Sequence, residues 1–230
     1  MALTGNALLA IWHDIEPDSR DEYMEWHTRE HMPERLSIPG FTVGKRLINH
    51  DLGCYRYGTI YGGMDLEVFR SPAYLERLNN PSDWSRRVQP AFRNFLRVAC
   101  VRVASRGIGE GGALATVRLD FVDGSDEGKL CVGADALAEA LLAIKGVCCA
   151  HLVVACAEVS GVRTRETELR PEMSEKGFDA LVLAEGSGRP ELEAVVGDIE
   201  RAIALSGCGV GNPATLVYNL AYQLSASDLS

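Results

Sequence analysis

The chain has 230 residues, 47% of them hydrophobic and 24% charged, which is long enough to bury a sizeable core in one large domain or two small ones. Its net charge of −9, with no basic run longer than a pair, argues against nucleic acid or an anionic membrane surface as a partner, because phosphate contacts need clustered lysine and arginine. The seven cysteines, an odd number without a C-x-x-C pair, read as reduced core residues, and the start of the chain lacks a signal core or membrane span, so the expected compartment is the cytoplasm.

Residues 7–15 alternate around apolar positions and predict a strand that ends in Trp12-His13-Asp14. Residues 19–32 predict a helix, with Asp18 or Ser19 as N-cap, Asp21 and Glu22 in the first turn, and Pro33 to end or kink it. At about 100° per residue, Tyr23, Trp26, His27, Glu30 and His31 share one face, and Asp21, Glu22, Glu25, Thr28 and Arg29 take the other. The two aromatics mark the first face as the buried one. It therefore carries three polar groups that are costly to bury without partners. Buried polar groups usually satisfy one another, but two imidazoles and a carboxylate on a single apolar face favour a site.

Residues 41–49 predict a second strand with Arg46 inside it, after the turn Ile38-Pro39-Gly40. Residues 55–61 predict a third, with Tyr57 and Tyr61 on one face. Helical pieces follow, broken at Asn79-Asn80-Pro81 and resuming over 82–95 with a kink at Pro90, and residues 96–105 predict a fourth strand. Residues 106–112 read as a linker. They spell G-x-G-x-x-G, but no helix follows, so the dinucleotide reading lacks its context. The order then recurs: strand 113–122, helix 133–144, strand 147–157, a polar loop 159–177, strand 178–185, helix 190–205 and strand 214–224.

Two βαββαβ sets in tandem predict an α+β fold of two ferredoxin-like repeats, residues 1–105 and 113–230, with the sheets packed face to face as a barrel-like core. Overlaid at an offset of 106, Leu36, Ile38 and Gly40 fall on Leu142, Ile144 and Gly146, while His27, Glu30, His31 and Arg35 fall on Gly133, Ala136, Leu137 and Leu141. The fold does not require the polar set. The first repeat is expected to hold the site and the second to be structural.

The element order, W-H-x-x-E-H-x-P-E-R at 26–35, I-P-G-F at 38–41, and the run from Ser71-Pro72 through Asn80-Pro81-Ser82-Asp83-Trp84 to Arg93-Asn94-Phe95 resemble the dimeric α+β-barrel superfamily, nearest its uncharacterised branch close to EthD-like proteins. The motifs cover residues 7–105; the second half resembles the family by element order alone. The resemblance implies a barrel formed within one chain where other members dimerise, and a pocket between helix and sheet for a small organic molecule. Superfamily members include cofactor-independent monooxygenases, lactone isomerases, cyclases and haem enzymes, and fold does not choose among them.

Three functional classes remain. The first is acid–base chemistry on a small carbonyl or carboxylate compound, with no cofactor or metal. His27, His31 and His13 would move protons, Glu30 would tune them, and Arg35, Arg46, Trp26, Tyr57 and Tyr61 would bind the substrate. The second is a divalent-metal site, because His27 to His31 spells H-x-x-E-H, though no third ligand is evident. The third is a ligand-binding module without turnover. Cys54 sits in a turn with no base placed beside it. Homo-oligomerisation is left open.

Overall fold

The computed structural model describes residues 3–160, 163–171 and 177–229; of the loop expected over 159–177, residues 161–162 and 172–176 lie outside the described residues. Contacts divide the chain into two units. The first comprises residues 3–99, 156–177 and 221–230, and the second residues 1–2, 100–155 and 178–220. Each unit draws on both halves of the sequence.

In the first unit, β1 (Ala7–Ile15) and β2 (Phe41–Ile48) both pair antiparallel with β3 (Tyr57–Gly63), which lies between them. Asp14, at the end of β1, accepts backbone N–H bonds from Tyr55 at 2.9 Å and Arg56 at 3.0 Å and so fixes the entry to β3. In the second unit, β7 (Ala180–Gly186) lies between β5 (Ala113–Phe121) and β6 (Val147–Ala155), again all antiparallel. Two strands of 16 residues, β4 (Phe92–Gly107) and β8 (Val210–Ser225), contribute to both units. The hydrogen-bonded order of the eight strands is β1-β3-β2-β8-β5-β7-β6-β4. The expected linker over 106–112 begins inside β4, because that strand keeps its pairing with β6 as far as Gly107.

The helix after β1 does not stop at Pro33. α1 (Arg20–Trp26) runs into a π turn, His27–His31, and then into α2 (Met32–Leu36). The Met32 N–H bonds to the His27 carbonyl, five residues back. A proline inside an α-helix meets the carbonyl four residues behind it, and the wider turn immediately before Pro33 relaxes that conflict. Such turns recur at functional positions, and this one spans the H-x-x-E-H stretch.

Further on, Ser71 caps α3 (Pro72–Asn79) by accepting from the Tyr74 N–H, and Ser82 caps α4 (Asp83–Val88) by accepting from the Ser85 N–H. Here the chain departs from the expected helix over 82–95. α4 ends before Pro90, which has no N–H to continue it, a 3-10 turn Gln89–Ala91 follows, and β4 begins at Phe92. α5 (Glu127–Leu142) starts six residues earlier than its apolar pattern predicts, because Asp126 accepts from the Lys129 N–H and caps it. Within the expected loop lie α6 (Ala157–Ser160) and α7 (Arg165–Glu168), the latter closed by a capping box between Thr164 and Thr167. The last expected helix is two, α8 (Arg189–Glu193) and α9 (Val196–Leu205).

The 106-residue offset has a local counterpart. Gly40 and Gly146 both adopt φ of +97°, and the bulges at Phe41/Val43 in β2 and Val147/Cys149 in β6 fall at matching places. The glycines differ in surroundings. A Cβ at Gly40 would lie 2.5 Å from Val68 Cγ2, whereas at Gly146 nothing lies within 4 Å. Gly146→Ala is therefore expected to cost about 1–2 kcal/mol, the backbone penalty alone, and Gly40→Ala more. Equal losses in urea unfolding of the two variants would contradict this.

Candidate functional site

The helix interrupted by the π turn sets His27, His31 and Arg35 four residues apart, and all three line a cavity in the first unit. Leu9, Ile11 and His13 of β1 and Thr59 and Tyr61 of β3 line it from the sheet, and Trp26, Phe92 and Phe95 add aromatic wall. Its volume is about 40 Å³, roughly three times what one water needs by this measure, so the space suits a compact molecule.

Four polar atoms on this lining are buried without a hydrogen-bond partner among the described residues: His27 Nδ1, His31 Nδ1, the Tyr61 hydroxyl and Gln89 Nε2. Native interiors seldom leave such groups unpaired away from a ligand. The rings of His27 and His31 stack with centroids 5.6 Å apart, and Trp26 lies 4.2 Å from His31. Burial pushes both imidazoles well below their ordinary pKa, and nearby positive groups push the same way: His31 and Arg46 on His27, Arg35 and Arg170 on His31. Both are neutral at physiological pH, and a neutral imidazole can accept a proton. Burial also raises the Tyr61 phenol well above its usual range, so it stays protonated.

His13 is held differently. Burial lowers its pKa to about 3. It stacks on Tyr57 with ring centroids 5.5 Å apart, its Nδ1–H donates to the Asp14 carbonyl at 3.4 Å, and its Nε2 accepts from the Tyr23 hydroxyl at 3.2 Å. Both nitrogens are engaged, which leaves His13 part of the wall.

Glu30, Arg46 and Tyr57, expected in the site, do not line the cavity. Glu30 accepts from the hydroxyls of Ser82 and Ser85, and Ser85 in turn accepts the Trp26 indole N–H at 3.1 Å, so Glu30 ties α4 to the helix that carries the histidines. Arg46 donates to Thr28 Oγ1 at 2.8 Å and sits over the Tyr222 ring at 5.2 Å. Tyr57 packs in an aromatic cluster with Tyr23, Trp26, Phe92 and Phe95. The H-x-x-E-H spacing therefore presents two imidazoles to the cavity but not its carboxylate, and among the described residues no three His, Cys, Asp or Glu side chains meet as a ligand set.

Arg35 reaches the cavity already paired. Its Nη2 donates to Glu166 and its Nη1 to Glu34 Oε2 at 2.8 Å. Burial opposes its charge, but Glu166, Tyr74 and Glu34 outweigh burial and raise its pKa. Glu166 also accepts from Arg170 Nη2 at 2.6 Å, and Arg170 Nε donates to Gln89 Oε1 at 2.7 Å. None of Gln89, Arg97, Glu166, Thr167 and Arg170, all on the lining, was anticipated from the sequence. Glu166 and Arg170 stand at i and i+4, a spacing that marks an ion pair on a helix but not where it docks.

No protein-family model matches the chain, and no curated protein does. Among solved structures, an anthrone oxidase-like protein superposes with a TM-score of 0.64 at 11% identity, over 96% of this chain and 92% of that one. A "putative monooxygenase" from Fusobacterium nucleatum subsp. nucleatum gives 0.60 at 9% identity, over 96% and 95%. A chlorite dismutase from Candidatus Nitrospira defluvii, in a complex with cyanide, gives 0.58 at 10% identity, over 98% and 93%. At these identities the likeness is one of fold alone.

Proposed function

We propose that this α+β-barrel protein is an enzyme that takes a compact, uncharged carbonyl or phenolic compound into the cavity of the first unit and removes a proton from it with His27 or His31. The observation that carries this reading is the pair of buried imidazoles on the cavity wall, held neutral and with each Nδ1 unpartnered among the described residues. A neutral imidazole has a nitrogen lone pair free to take a proton, and burial keeps these two in that form. Arg35 and Arg170 already share the Glu166 carboxylate, which favours an uncharged ligand over a carboxylate. Proton removal leaves an electron-rich enolate or phenolate. The fold likeness to proteins described as monooxygenase and anthrone oxidase-like makes reaction of that anion with dioxygen the first fate to examine, with isomerisation second.

The test need not know that fate. With acetone as probe in D2O, the wild-type protein is expected to exchange the methyl protons faster than buffer does. His27→Ala and His31→Ala are expected each to slow the exchange by about 10²-fold, the usual contribution of a positioned base. Exchange no faster than buffer, or unchanged in both variants, would contradict proton abstraction. A ligand-binding module would hold the probe without exchanging it.

A further inference from the structure

Gln89 is fully buried in the 3-10 turn between α4 and β4, and among the described residues only half of its amide is satisfied. Its Oε1 accepts from Arg170 Nε at 2.7 Å, and its Nε2 has no partner among the described residues. The amide cannot be turned the other way. A guanidinium only donates, so the atom that faces it must be the carbonyl oxygen, and the NH2 group is left directed elsewhere. Arg170 is itself fixed. Its guanidinium lies 3.9 Å from the centroid of the Phe95 ring and donates to Glu166 Oε1 at 2.6 Å, and Glu166 is in turn bound by Arg35. Glu166, Arg170 and Gln89 thus form a relay of three buried side chains that ends in a donor on the cavity wall.

We infer that Gln89 selects the substrate's functional group, donating from Nε2 to a carbonyl oxygen, with Arg170 and Glu166 as the positioning residues that hold the amide in that sense. The inference rests on the proton-abstraction reading for its consequence in catalysis but not for its consequence in binding. A donor with no acceptor of its own rewards a ligand oxygen and penalises a hydrocarbon at the same point, because the hydrocarbon leaves the N–H unpaired. When an imidazole takes the proton from the carbon beside the carbonyl, the electron pair of the C–H bond moves into a C=C bond and the oxygen gains the negative charge. The Nε2–H bond to that oxygen then becomes charge-assisted and strengthens. Gln89 would accordingly contribute more to kcat than to KM.

Gln89→Glu separates this role from a merely structural one. It is isosteric, it strengthens the contact with Arg170 by adding a charge, and it replaces the donor with an acceptor. The variant is expected to unfold at a temperature no lower than the wild type. The wild type is expected to bind acetone roughly tenfold more tightly than isobutene, its counterpart with a CH2 group in place of the oxygen, by NMR titration. Gln89→Glu is expected to lose that preference while keeping its affinity for isobutene. In Gln89→Glu the kcat for exchange of the methyl protons should fall by about 10²-fold, more than the roughly tenfold rise in KM that the lost binding preference brings. Arg170→Met, which leaves the amide free to turn, should lose part of the ketone preference. Equal binding of the two probes by the wild type, failure of the ketone to bind, or an undiminished preference in Gln89→Glu would overturn the assignment. A Gln89-dependent preference with no exchange would instead overturn proton abstraction and leave the donor role standing.

Discussion

Glu166→Ala is expected to cost about 3–5 kcal/mol of folding stability, the largest loss from any single side chain of the site. Glu166, Arg35 and Arg170 have side-chain exposures of 3%, 3% and 6%, so the carboxylate is shared by two guanidinium groups that are almost out of water. Arginine does not shed its proton to escape burial. Removing Glu166 leaves Arg170 without its acid partner and Arg35 with only Glu34, which is 19% exposed. Glu166→Gln keeps oxygen and shape but not charge, and should fall between wild type and Glu166→Ala. Urea unfolding of the three proteins measures this, and a loss under about 1 kcal/mol in Glu166→Ala would mean that Arg35 and Arg170 find other partners or water.

Lowering the pH from 7.5 to 5.5 is expected to remove about 4 kcal/mol of stability through three histidines. Burial holds His13 at about 3 and His27 and His31 well below 6.5, so the folded state leaves them neutral while the unfolded chain protonates them below 6.5. The unfolded state then binds more protons, and stability rises with pH across this interval. The histidine contribution is fully present above 6.5 and is lost as the pH falls towards the folded values. One pH unit below 6.5 each histidine accounts for roughly 1–1.5 kcal/mol. Glu34, whose carboxyl is raised first of all by burial, acts in the opposite sense in the acid range. Denaturant titrations at the two pH values test the sum, and His13→Phe should reduce the dependence by about a third. Equal stability at both would mean that these imidazoles bind protons in the folded state.

The doubled element order and the apolar spacing of the first helix were enough to read the fold and one wall of the cavity. Tyr23, Trp26, His27 and His31 are buried on the face that helical periodicity assigns to them. Glu30 shares that periodicity but lies at the edge of the face, where Ser82 and Ser85 offer hydroxyls that no sequence window around residue 30 contains. The π turn was not legible, since its residues have the composition of an ordinary helix. Nor was the opposite wall. Gln89 looks like one more polar helix residue until Pro90 ends α4, and residues 163–171 have no periodicity to announce that they supply part of the cavity wall. Arg35 lines the cavity, but its pairing with Glu166 depends on a contact across 131 positions of sequence.

That separation bears on the order in which the molecule can be completed as it is made. The residues carrying the imidazoles leave the ribosome early, yet Arg35 waits for Glu166, and Gln89 for Arg170, until more than a hundred further residues have been added. For that interval Arg35, meant for the interior, has only its sequence neighbour Glu34 as counter-charge. A version truncated after residue 105 should reproduce this state permanently: strands β1 to β3 can pair, but the wall that Glu166, Thr167 and Arg170 supply is missing. A gene split at residue 105 is thus expected to regain the site only when the second piece is supplied as well.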